Sequence, residues 1–206
     1  MIYQKDALLG EDNIFMPFDK YVMRHLIQLL EEKSKPQDIE IIPLNFTPAE
    51  VSPVLSKDTL DLHYGKLAHG YAERYNNKEG DRDFNYAGAF LHNTLVPQFR
   101  EVRNNNTPNG PMYGFINKHF GDYDNMKSEF ETEAMKIQGS GWIYLATDGK
   151  IKIIHNHQVR NDILLLIDWW EHAWILGYGT DKKKYIKEQW KIINWNVINT
   201  RWGKSL

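Results

Sequence analysis

The sequence predicts an α+β fold: a helical hairpin comes first, and a three-stranded antiparallel sheet flanked by helices follows. Three features carry that expectation. Apolar residues recur at three- and four-residue spacing up to about residue 137. The period then switches. Gly141-Trp142-Ile143-Tyr144-Leu145-Ala146 and Lys150-Ile151-Lys152-Ile153-Ile154 read as strands, with Asp148-Gly149 between them as a hairpin signal. Finally, Ile163-Leu164-Leu165-Leu166-Ile167 is a continuous apolar run, as expected of a buried third strand.

Taken in order, Phe18, Tyr21, Val22, Leu26, Leu29 and Leu30 mark an amphipathic helix over Pro17–Glu32, which Pro36 ends. Ile39-Glu40-Ile41-Ile42-Pro43 is a short extended connector. A second helix begins at Thr59, with Leu60, His63, Tyr64, Leu67, Tyr71 and Tyr75 along one face, and Asn76, Asn77 and Gly80 break it. A third runs from about Asn85 to Phe99 and carries Ala89, His92, Leu95 and Val96 on one side. Thr107-Pro108-Asn109-Gly110-Pro111 is a loop, and helices are expected at about 112–120 and 124–137. After the strands come helices over Lys182–Lys187 and along the aromatic run Trp190 to Trp202. The expected division is an extension over 1–45, a helical-hairpin domain over 46–105 and an α/β domain over 106–206.

The composition narrows the function classes. With 206 residues and 42% hydrophobic content the chain can bury a sizeable core. A net charge of -2 gives no reason to expect a nucleic-acid groove. Without cysteine there is no disulfide, thiolate catalysis or cysteine zinc site. No run reaches the length of a membrane span, and Met1-Ile2-Tyr3-Gln4-Lys5-Asp6 lacks the pattern of a secretion signal. A cytoplasmic or other soluble intracellular location is the expectation.

Among the eight histidines, a single one on a helix is more often packed or solvated than ligating. Four residues nevertheless stand out together: His63, His92, Asp168 and His172. Three imidazoles and one carboxylate suit a redox-active first-row metal such as iron or manganese. Their local contexts are specific. His63-Tyr64-Gly65-Lys66 is followed by Tyr71, eight residues after His63 and so a little over two helical turns on. Phe84-Asn85 precedes His92, Gly139-Ser140-Gly141-Trp142 opens the first strand, and Asp168-Trp169-Trp170-Glu171-His172-Ala173 follows the third. Ile193-Asn194-Trp195 lies near the end. In this order, over about residues 45–202, these motifs resemble those of the iron/manganese superoxide dismutases.

The resemblance implies a five-coordinate metal ion, one per chain, held by His63, His92, Asp168, His172 and a solvent molecule. It favours iron, with manganese as the alternative. It implies dismutation of superoxide to dioxygen and hydrogen peroxide, with Trp142 and Trp170 as walls of the pocket and Tyr71 as gateway. In the family a Gln or His bonds the bound solvent. Gly88 and Ala89 leave one of its usual sources empty, so His157 is the choice here and Gln158 the alternative. The resemblance also implies a homodimer with Glu171 near the interface.

The chain departs from the family at Leu67 and Ile175, where a His and a Tyr are usual and meet across the dimer. It departs again at Leu95 and Val96, which replace an aromatic pair, and at a short connection from Asn77 to Asp83. His69 is expected to be exposed, and His25, His119 and His155 to be structural. Two readings follow. One is an iron- or manganese-dependent superoxide dismutase. The other is a dismutase-like structural subunit of a larger assembly that retains its metal site, with residues 1–45 docking to a protein partner.

Overall fold

The computed structural model describes residues 37–205. The helix expected over Pro17–Glu32, with His25 in it, lies outside the described residues. Thr47 opens a single turn, α1 (Pro48–Val51), in which the Glu50 carboxylate accepts the Thr47 N–H at 2.6 Å. The next helix starts two residues before the expected Thr59, because the Ser56 hydroxyl caps it by accepting from the Thr59 N–H at 3.1 Å. It runs as α2 (Lys57–Leu62), then as a π-helical stretch (His63–Ala68), then as α3 (His69–Asn76). Periodicity read this as one regular helix. The wide turn begins at His63 itself, the kind of irregularity that π-bulges place at functional sites.

Helix α4 (Arg82–Leu95) starts earlier than Asn85 because the Asp81 carboxylate caps the Phe84 N–H at 2.9 Å. Pro97 then turns the chain into a 3₁₀ stretch (Val96–Gln98). Helices α5 (Gly110–Phe120) and α6 (Tyr123–Ala134) follow where the spacing placed them. The strands are β1 (Gly141–Ala146), β2 (Ile151–His155) and β3 (Ile163–Asp168), in the order β2-β1-β3 and antiparallel throughout. Strands β1 and β3 are buried along their whole length, which explains their unbroken apolar sequence.

Helix α7 (Glu171–Tyr178) was not anticipated, since eight residues are too few to display a helical period clearly. Helix α8 (Lys182–Gln189) agrees with expectation. The aromatic run beyond it is not one helix. A 3₁₀ turn (Trp190–Ile192) is separated from α9 (Trp195–Ser205) by extended Ile193. The break follows from a long-range pairing: Ile193 bridges Phe99, Arg100 N–H donates to Ile192 O at 2.9 Å, and Asn194 N–H donates to Gln98 O at 2.7 Å.

The same junction protects the free edge of β3. The Gln98 side chain accepts the Leu166 N–H at 3.1 Å and donates back to Leu166 O, as a neighbouring strand would. Arg201 donates to Gln98 Oε1 at 3.0 Å and to Leu164 O at 2.8 Å. Because the strands are antiparallel, the start of β1 and the ends of β2 and β3 meet at one end of the sheet. There Gly141 lies opposite His155 and Trp142 opposite Asp168.

Candidate metal centre

That end of the sheet faces the helical hairpin, and four side chains converge between them. His63 comes from the start of the π-helical stretch, His92 from the last turn of α4, Asp168 from the end of β3 and His172 from the first turn of α7. One ligand atom from each lies within 4.8 Å of all the others. His63 Nε2 is 3.0 Å from His92 Nε2 and 2.9 Å from Asp168 Oδ2, and His172 Nε2 is 3.5 Å from Asp168 Oδ2. His63, His92 and Asp168 are buried, and His172 is nearly so.

Protonation follows from the partners. His92 Nδ1 lies 2.6 Å from Gly88 O, which can only accept. Nδ1 therefore carries the proton, and the Nε2 lone pair faces the cluster. Burial holds His92 down at about 3, helped by the neighbouring His63, and burial likewise lowers His63. Burial acts to raise the Asp168 carboxyl, but the adjoining His172 and His63 imidazoles outweigh it and keep the group well below the usual carboxylate range. Asp168 Oδ1 accepts the Trp170 N–H at 2.7 Å, while Asp168 Oδ2 and His172 Nε2 are buried with no hydrogen-bond partner among the described residues. Buried polar atoms without partners are costly. Ring nitrogens of three imidazoles and a carboxylate oxygen gathered this closely are what a single cation satisfies. The donor set and its orphaned atoms thus fit one iron or manganese ion.

Aromatic rings enclose the cluster. Trp142 lies 5.2 Å from His92 edge-on, and Trp170 stacks on His157 at 4.5 Å. His157 is buried, and the Trp142 indole N–H donates to its Nδ1 at 3.1 Å. That bond leaves the His157 proton on Nε2, which has no partner among the described residues. Gln158 is exposed and accepts from Arg160 at 2.5 Å. Tyr71 is buried, its ring 4.8 Å from His157 and 5.6 Å from His92. Burial and then the Asp168 charge push its phenol up, and Arg74 partly offsets them.

A model of the C-terminal domain of iron/manganese superoxide dismutases matches residues 108–201. A manganese/iron superoxide dismutase of Porphyromonas gingivalis is 31% identical over 189 residues, which cover 79% of this chain and 98% of that protein. An iron superoxide dismutase of Bacteroides fragilis is 30% identical with the same coverage. One of Pyrobaculum aerophilum, also an iron enzyme, is 28% identical over 80% of this chain and 92% of its own.

The chain belongs to the iron/manganese superoxide dismutase family.

Within that family framework, the departures have definite places. Leu95 and Val96 are fully packed core residues, whereas Leu67 and Ile175 are half-buried. Glu171 is exposed at the start of α7. His69 is exposed as expected; His119 and His155, expected to be structural, are exposed as well. Sequence reasoning missed several neighbours of the site. Tyr185 donates to Asp168 O at 2.9 Å from α8, and Tyr64 stacks on His63 at 4.8 Å. Phe84 was noted only as part of a motif, yet its ring lies 4.7 Å from His157. Tyr64 stood beside a candidate and was legible. Tyr185 carried no signal, because its partner lies 17 residues away across a helix junction.

Proposed function

We propose that this chain is a superoxide dismutase. It would use one iron or manganese ion, iron being favoured, held by His63, His92, Asp168 and His172. The observation that carries the reading is the set of ligand atoms from four separate segments within 4.8 Å of one another, two of them buried without partners among the described residues. A bound ion of this kind supplies a one-electron couple, so that one superoxide is oxidised to dioxygen and a second is reduced, with two protons, to hydrogen peroxide. The chain's own residues do the rest. The single carboxylate would offset part of the ion's charge. With Nδ1 occupied by the Trp142 indole, His157 would offer its Nε2 proton to solvent at the site. The Tyr71 phenol stands beside it as a second donor, kept protonated by burial. The rings of Trp142, Trp170 and Phe84 pack around His157 at 5.8, 4.5 and 4.7 Å. Gln158, exposed and bonded to Arg160, is the weaker candidate for the solvent contact.

The reading extends to an antioxidant role in a soluble intracellular compartment and to a homodimer. Exposed Glu171 and Leu176 on α7, which packs against α2, support a subunit contact there. We keep the division into an extension (1–45), a helical-hairpin domain (46–105) and an α/β domain (106–206), with a protein partner for the extension.

The test is superoxide dismutation per bound metal, on chain loaded separately with iron and with manganese. Turnover with at least one metal is expected, together with loss of stoichiometric metal binding in His172→Ala. Full metal occupancy with no turnover would overturn the enzymatic reading in favour of a structural subunit.

A further inference from the structure

Superoxide is an anion, and this chain has a net charge of -2, so approach to the site calls for a local cation. Arg74 on α3 is placed for that. Its Cζ lies 5.0 Å from the centroid of the Tyr71 ring. Its Nε–H donates to Asn85 Oδ1 at 3.0 Å. Asn85 is itself buried and fixed, donating from Nδ2 to Glu79 O at 2.9 Å. The guanidinium folds back along the helix over Gly70, where a Cβ would stand 3.1 Å from Nη1. The missing side chain at Gly70 therefore leaves the guanidinium its room. Arg74 is exposed, and among the described residues it pairs with no carboxylate and has no hydrogen-bond partner for Nη1 or Nη2. The contrast with Arg82 is instructive: it has the same relation to the Tyr75 ring, but its Nη2 is committed to the Tyr75 hydroxyl at 3.2 Å.

We infer that Arg74, held by Asn85 over Tyr71, is a steering residue that draws the anionic substrate to the gateway. This rests on the proposed dismutase activity. Asn85 fixes the guanidinium's position, Gly70 leaves it space, and the exposed side chain carries its charge beside the Tyr71 ring. The arrangement places a positive charge at the gateway, which the apolar Leu67 and Ile175 do not provide.

The test compares metal-loaded wild type with Arg74→Gln, Arg74→Glu and Arg74→Lys, first confirming equal metal content and melting temperature. Two quantities are read against ionic strength: the second-order rate constant for superoxide, and the affinity for azide, an anion probe followed by the absorption of the metal site. At low salt, Arg74→Gln is expected to lower both by roughly threefold and Arg74→Glu by roughly tenfold. The differences should fade as salt shortens the screening length below about 10 Å, and Arg74→Lys should restore most of the loss. Variants matching wild type in rate and salt slope would overturn the inference. So would an equal loss at every ionic strength, which is the mark of a structural role. If wild type takes up metal but does not dismutate superoxide, the functional reading fails, and the azide affinities alone decide whether Arg74 steers anions.

Discussion

Gly88 carries two duties that a larger residue could not combine. Its carbonyl fixes the His92 proton on Nδ1, and a Cβ there would stand 2.7 Å from the Tyr71 ring. An aromatic ring packed on three sides is not a flexible neighbour. Gly88→Ala is therefore expected to destabilise the fold by about 1–3 kcal/mol through overpacking and to displace Tyr71. Denaturant titration measures the first effect and loss of turnover at unchanged metal content the second. The buried imidazoles give a pH prediction as well. In the metal-free chain burial holds His92 at about 3 and His157 at about 4, below their ordinary 6.5. As pH falls, the unfolded chain binds protons before the folded one does, so the stability from these groups is complete above about 6.5 and is lost on the way down towards the folded values. The melting temperature of metal-free protein should thus hold steady at neutral pH and fall between about pH 6.5 and pH 4. A flat profile over that interval would contradict neutral burial of these side chains.

At the scale of elements, the edge of β3 is the exposed liability, and a side chain rather than a strand closes it. Gln98 answers both backbone groups of Leu166, and Arg201 ties Gln98 and Leu164 to α9. Gln98→Leu would leave a buried N–H and a buried C=O unsatisfied, at about 1–3 kcal/mol each. A loss of about 2–5 kcal/mol in denaturant unfolding is expected, with the secondary structure content unchanged. Burial lowers Arg201 to about 10, yet it remains charged at neutral pH and keeps its hold on the junction. Since β3 ends in Asp168, loosening this edge should also weaken metal retention, which dialysis against a chelator would reveal.

For the whole molecule, the proposed homodimer would place subunit association and metal loading on the same helix. The first turn of α7 carries His172, and its exposed flank carries Glu171 and Leu176. Sedimentation equilibrium is expected to give twice the 24.3 kDa chain mass, and Leu176→Asp to shift it towards the single-chain value. Metal binding only to the folded state should raise the melting temperature on loading, by mass action, and this rise should disappear in His172→Ala.

The sequence by itself determined the three strands, most of the helices, the candidate ligands and the Trp142 and Trp170 rings beside them. Each of these is written in a short run, such as Gly139-Ser140-Gly141-Trp142 or Asp168 through Ala173, or in a spacing that one helix or strand can display. Tertiary structure decided what depends on residues distant in the chain. The Phe99–Ile193 bridge interrupts what looks like one helix, Gln98 stands in for a strand, Tyr185 reaches Asp168, and Gly70, Arg74 and Asn85 meet over Tyr71. None of these has a periodic or local signature, because hydrogen bonds and close approaches are set by where backbones come to lie. The convergence of the four metal-binding candidates belongs to both levels: their identity is local, and their common distance exists only once the sheet end has packed against the hairpin.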